Sequence, residues 1–176
     1  MFAQKLAMPT PERVLAVCLG NICRSPMAEG LLRQHIQTKG LRIKVDSAGT
    51  NGYHNGEAPD PRAQAEMRRH GMEIGAQESR QIEKSDFERF DVILVMDSSN
   101  WRDVLALAGD REKWQNKVHM FLDDGDVPDP YFGGNFGFVK VHELLNEAAD
   151  LWTDKWRGSD PSRSVSYTHL TLPTIE

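Results

Sequence analysis

The sequence predicts a single α/β domain, built on a doubly wound, four-stranded parallel sheet with helices on both faces. Three observations carry this. The strands read as short continuous apolar runs, as expected where a sheet is covered on both sides. They alternate with helical patterns, which implies right-handed crossovers between parallel strands. The 176 residues suit one domain, whose core buries roughly two-thirds of the unfolded surface without a disulfide or metal staple.

Arg13 to Cys18 is apolar after its first residue and reads as a buried strand. A glycine-containing turn follows, then a helix over Met27 to Lys39 with Pro26 in its first turn, where a missing N–H costs nothing. Its apolar positions are Met27, Leu31, Leu32 and Ile36, and Gly40 stops it. Ile43 to Ser47 is the second strand, ended by Ala48 to Gly52. Pro59 and Pro61 introduce a helix through about His70, with Gly71 as its stop. Ser85 to Glu88 has the form of a capping box opening a short helix. Val92 to Met96 is the clearest strand, and Asp97 or Ser98 caps a helix reaching Ala108. Val118 to Leu122 is a fourth, weaker strand. After a loop rich in Asp, Gly and Pro, a last helix runs from about Phe138 to Trp156. Its apolar face is Phe138, Val141, Leu144, Leu145, Ala148, Leu151 and Trp152.

Composition narrows the function classes. With 39% hydrophobic and 27% charged residues the chain is not of the disordered type. Its 21 basic and 26 acidic residues give a net charge of −5, which argues against a nucleic-acid binder. No apolar run approaches the roughly 20 residues of a membrane helix, and Met1 to Arg13 lacks the marks of a signal peptide. Two cysteines are too few for a disulfide scaffold or a four-thiolate zinc site, and a cytoplasmic setting is the default. His35, His54, His119 and His142 show no metal-ligand spacing, and no cofactor motif is present. Translation can start at Met1 or Met8.

The native domain is expected to span residues 1–163, its first ~10 residues a loose lead-in. Residues 164–176 have no packing pattern. Val165 to Thr174 can be read codon by codon as one frame of a transposase adapter used in sequencing libraries, so this tail is expected to be non-native read-through.

The chemistry is carried by Cys18-Leu19-Gly20-Asn21-Ile22-Cys23-Arg24-Ser25-Pro26, between the first strand and first helix. Ligands of doubly wound sheets bind at the carboxyl ends of the strands. The loop closes on a helix N-terminus, whose free N–H groups and dipole favour an anion, and its successive amides can form a nest. Gly20 allows a positive φ. Arg24 offers a planar fork for two phosphate oxygens. Cys18 at the base would be favoured as thiolate by the dipole, the amides and the Arg charge. Leu19 to Ser25 would thus bind a phosphate and aim a nucleophile at phosphorus. Displacing an alcohol from a phosphomonoester also needs an acid; Asp123, Asp124, Asp126 and Asp129 are all candidates on residue chemistry alone.

Cys18 to Pro26, with Met27-Ala28-Glu29 behind it, resembles the signature loop of the low-molecular-weight protein tyrosine phosphatases. The likeness extends to Asp46-Ser47-Ala48-Gly49-Thr50, His70-Gly71, Arg80-Gln81-Ile82, Val95-Met96-Asp97 and Pro128-Asp129-Pro130-Tyr131, and so covers roughly Val14 to Trp156. It implies a flavodoxin-like three-layer fold of the phosphotyrosine phosphatase I type. It also implies hydrolysis of protein phosphotyrosine through a phosphocysteine, without metal or cofactor, by a monomer or weakly self-associating protein releasing inorganic phosphate. Cys18 would be the nucleophile, Arg24 the clamp and Asp129 the acid and base. Ser25 would donate to the thiolate, and Asn21 tied to Ser47 would brace the loop. The family usually has a His three residues before its Arg-Gln pair; here that position is Gln77, which cannot carry charge.

Tyr53, Tyr131 and Phe132, with Leu19 and Ile22 from the loop, are expected to wall an aryl ring. Relatives acting on phosphoarginine tend to have Thr at the position of Ile22, so Ile22 implies phosphotyrosine. Cys23 could trap an oxidised Cys18 as a reversible disulfide. His70 reads as a helix C-terminal cation. Rival readings are an arsenate reductase of the same fold, a non-catalytic phosphate-binding module and a two-cysteine metal site. The first lacks the downstream cysteines it would need, the second would have lost Cys18 or the acid, and the third lacks further ligands.

Overall fold

The computed structural model describes residues 8–158. The expected read-through tail, 164–176, lies outside the described residues. Four strands, β1 (Arg13–Cys18), β2 (Lys44–Gly49), β3 (Val92–Val95) and β4 (Val118–Met120), form one parallel sheet in the order β2-β1-β3-β4. Among them run α1 (Arg24–Thr38), α2 (Pro61–Arg69), α3 (Asp86–Arg89), α4 (Ser98–Ala108), α5 (Arg111–Trp114), a 3-10 turn (Gln115–Lys117) and α6 (Asn135–Gly158).

Strand alternation sorts the core into two layers. Val14, Ala16 and Cys18 face Met27, Leu31, Leu32, Val141, Leu145 and Trp156, from α1 and α6. Leu15, Val17, Ile93 and Val95 face Phe87, Val104, Leu105 and Ala108, from α3 and α4. The predicted doubly wound sheet with helices on both faces is therefore the observed one. Because the chain departs from β1 to β2 on one side and to β3 on the other, the crevice at the carboxyl end of β1 is the topological switch point. Among the described residues no helix is long and apolar enough to cross a membrane.

Several elements differ in detail from the sequence reading. Helix α1 starts at Arg24 rather than Met27, so the basic side chain that ends the loop is also the first helical residue. The capping box at Ser85 is not made: its hydroxyl donates to Glu83 Oε1 at 3.4 Å, and no side-chain cap bond forms. Asp97 and Asp60 do cap their helices, accepting from the amides of Asn100 at 2.7 Å and Arg62 at 2.8 Å. The four-residue α5, capped by Asp110, was not foreseen, since it has no buried residue to impose a period. On α6, Leu151 is exposed whereas His142 is buried, so the buried stripe is rotated from the apolar one.

Candidate active site

The loop from Cys18 to Ser25 turns around the end of β1 with its carbonyls outward. The Cys18 carbonyl accepts from the Thr50 amide at 2.9 Å, Leu19 from Asn51 at 3.0 Å, and Ile22 from Asp60 at 2.8 Å. The Gly20 carbonyl accepts from the Ser79 hydroxyl at 3.4 Å. In a trans peptide the N–H opposes the C=O, so the same turn presents its amides to the concave side. Positive φ falls on Asn21 (59°) rather than on Gly20, correcting the role read from the sequence. Asn is among the few side-chain-bearing residues that take this conformation readily. Gly20 instead leaves room for a ring, since a Cβ there would lie 3.1 Å from His54 Cδ2.

Asn21 is held from three sides. Its Nδ2 donates to Ser25 Oγ at 2.7 Å and to Ser47 Oγ at 3.0 Å, and its Oδ1 accepts from the Arg80 amide at 3.0 Å. The Ser47 hydroxyl donates to Glu29 Oε1 at 2.7 Å. Ser25 Oγ lies 3.1 Å from Cys18 Sγ, in position to donate to a thiolate. Burial pushes the Glu29 carboxyl above its ordinary range, against the opposing pull of Ser47 and Arg33. Arg33 meets Glu29 Oε2 through Nη2 at 2.6 Å and Nε at 3.1 Å. Gln77 does not join this chain: its Nε2 donates to the Pro26 carbonyl at 3.1 Å, and its buried Oε1 has no partner among the described residues.

Arg24 is buried, 2% exposed, and its fork is fixed from behind. Nη1 donates to Asp97 Oδ2 at 2.7 Å and to the Val127 carbonyl at 2.8 Å, and Nη2 lies 3.7 Å from Asp129 Oδ2. Burial disfavours the cation, but Cys18, Asp97 and Asp129 more than offset it, so Arg24 is held charged. Asp129 itself accepts from the Tyr131 amide at 3.1 Å, and Asp126 is engaged by Ser98 instead.

The cleft above Cys18 is lined by Leu19, Ile22, Arg24, Tyr53, Asp129, Tyr131 and Phe132, the expected set, together with Asn51 and His54. Tyr53 and Phe132 are 86% and 91% exposed, so the rim is open to an incoming ring. Cys23 also lies in the loop; both cysteines are reduced and buried. Burial, then the Asp60 carboxylate, pushes the Cys23 thiol up and keeps it protonated.

Three positioning groups escaped the sequence reading. Asp97 was read as a possible helix cap and as part of a family-like segment, with no side-chain role in the site, yet it also orients Arg24. Asp60 and Arg62 tie the two loops together: the Asp60 amide reaches the Ile22 carbonyl and its carboxylate pairs with Arg62 at 2.9 Å. Arg62 then donates to the Gly133 and Tyr131 carbonyls at 3.0 and 2.9 Å. An Asp two residues past β3, a central strand, was the available signal for Asp97; nothing in the sequence marked Arg62.

A buried cysteine inside an anion loop, at the switch point of a parallel sheet, defines a class of α/β protein with a thiol-based phosphate cradle. The comparisons are specific. The model of the low molecular weight phosphotyrosine protein phosphatase family matches residues 13–159. The chain is 40% identical over 147 residues to a low molecular weight protein-tyrosine-phosphatase of Streptomyces coelicolor, covering 78% of this chain and 88% of the relative. It is 39% identical over 158 residues to the low molecular weight phosphotyrosine protein phosphatase of Homo sapiens, covering 85% and 99%. The crystal structure of a protein tyrosine phosphatase from Entamoeba histolytica superposes with a TM-score of 0.75 at 37% identity, covering 81% of this chain and 95% of that one. The chain belongs to the low molecular weight phosphotyrosine protein phosphatase family.

Gly49 tests the loop geometry. A Cβ there would stand 2.8 Å from the Leu19 carbonyl oxygen and 3.1 Å from the Asn21 nitrogen. Gly49→Ala should displace the loop and lower kcat/KM for an aryl phosphate by about 10²-fold, with the circular dichroism of the fold kept. Parent-like kinetics would show that the loop does not depend on this close approach.

Proposed function

We propose that the chain hydrolyses protein phosphotyrosine through a phosphocysteine intermediate. The observation that carries this reading is the stacking of parts in one cleft: Cys18 below the turned-in amides, Arg24 at its side, and Asp129 3.7 Å from the Arg24 fork.

The phosphate enters the nest of amides from Leu19 to Ser25, and Arg24 spans two of its oxygens. Cys18 Sγ attacks phosphorus in line. The S–P bond forms as the P–O bond to the tyrosine breaks, and Asp129 gives its proton to the leaving oxygen. Water then attacks the phosphocysteine as Asp129, now ionised, takes a proton from it. The new O–P bond releases inorganic phosphate, and Cys18 departs as thiolate, steadied by the Ser25 hydroxyl. Amides and Arg24 meet the charge on the equatorial oxygens, where positioning and electrostatics do most of the work. Each step is supplied by side chains and amides of this chain. Leu19, Ile22, Tyr53, Tyr131 and Phe132 grip the phenyl ring, which fits an aryl ester better than a compact alkyl phosphate. Two reduced cysteines beside one another in the loop fit a reducing, cytoplasmic setting.

Hydrolysis of a small aryl phosphate should be abolished in Cys18→Ser and reduced by roughly 10²–10⁴ in Asp129→Ala; full activity in Cys18→Ser would refute the scheme. In the oxidised protein, a Cys18 sulfenic acid would lose water to the Cys23 thiol and form a disulfide, sparing Cys18 from further oxidation. After brief peroxide treatment, a thiol reductant should restore activity in the parent and not in Cys23→Ala. Equal recovery in both would remove Cys23 from that role.

A further inference from the structure

Away from the cleft, the fold brings a distant histidine beside two potential ligands that share one helical turn. Glu66 and His70 are one helical turn apart at the end of α2, and so share a face. His142 comes from α6, which packs on α2. One donor atom of each lies within 4.8 Å of the other two. Spacing along the chain could not reveal this group, because His142 is brought in by the packing of α6 on α2.

Two features mark it as more than a surface ion pair. Glu66 and His142 are both buried, at 5% and 6% exposure, and His142 Nε2 has no hydrogen-bond partner among the described residues. An unpartnered buried imidazole nitrogen is costly in a packed interface and is ordinarily satisfied. The His70 and His142 rings are stacked, with centroids 3.6 Å apart and planes 8° from parallel. His70 Nε2 is 2.9 Å from Glu66 Oε2, while Glu66 Oε1 is held at 3.1 Å by Arg69, an outer partner that orients the carboxylate.

We propose that Glu66, His70 and His142 form a binding site for one Zn²⁺ ion that bridges α2 and α6. Two imidazoles and a carboxylate suit zinc, with water as a fourth ligand, and suit Mg²⁺ or Ca²⁺ poorly. The ion takes the place of the proton between His70 Nε2 and Glu66 Oε2. Tetrahedral zinc sets its donors roughly 3.3 Å apart. The parallel rings must tilt to aim their lone pairs at one ion, and His70, exposed at the helix end, can turn to do so. Because α2 begins beside Arg62 and α6 follows the acid loop, the ion would pin together the two helices that frame that loop. Its role is structural and separate from the thiolate chemistry.

The test uses full-length Cys18→Ser protein, which removes the active-site thiolate as a competing zinc ligand. Titrated with Zn²⁺ in a calorimeter, it should bind one ion saturably. Tm should rise by about 5–10 °C at a hundredfold excess of Zn²⁺ over the dissociation constant. Adding His142→Gln or, at the exposed helix end, His70→Gln should each weaken binding by more than the ~10–100-fold typical of an outer partner. Each should also remove the Tm rise. Unchanged affinity in either variant, or no saturable uptake by the Cys18→Ser protein, would overturn the proposal.

Discussion

Everything in the cleft depends on how Asn21 is held. Asn tolerates the left-handed region better than most residues with a side chain, and three hydrogen bonds fix its amide there. One of its N–H groups reaches Ser25 and so orients the hydroxyl beside Cys18. The other reaches Ser47 on β2 and, through it, the buried Glu29. Its carbonyl receives the Arg80 amide from a segment fastened to Gly49 by backbone bonds in both directions. The loop is thus braced by β2, α1 and the Arg80 segment, which fixes the direction of its amides.

A second chain of contacts governs the mouth. Asp97, placed by the end of β3, and the Val127 carbonyl hold one edge of Arg24 and leave the other edge toward Asp129. Arg62 clasps the Tyr131 and Gly133 carbonyls while its partner Asp60 bonds the signature loop at Ile22. Burial works against ionised Asp60, but Arg62 and the local amides more than offset it, so the carboxylate stays charged below its ordinary range. The acid loop and the nucleophile loop are thus coupled twice, through the Asp60–Arg62 pair and through Arg24 itself.

The fold was legible because short strand-like runs, most apolar at Val14–Cys18 and Val92–Met96, alternate with helical patterns. The cradle was legible because its parts are contiguous, Cys18 to Ser25 closing one turn. Asp129 needed the family likeness, since four aspartates share its stretch of chain. What stayed hidden was assembled by packing. Asp97 looked like a cap because it is one. Arg62 looked like any helix-start cation. The positive φ was assigned to Gly20 on backbone freedom, whereas Asn21, the residue the family likeness ties to Ser47, carries it. His142 sat outside the apolar stripe of α6, yet helix α2 covers it, and Leu151 within that stripe faces solvent.

The chemistry of the cleft rests on a loop braced around Asn21 that makes Cys18 the phosphoryl acceptor. Single-turnover reaction with an aryl phosphate, quenched in acid and followed by peptide mass analysis, addresses it directly. The parent should carry a phosphoryl group on Cys18, formed together with a burst of released alcohol. Asn21→Ala should form the same adduct about 10²-fold more slowly. Equal rates of adduct formation in the two proteins, or a phosphoryl group on any other residue, would contradict it.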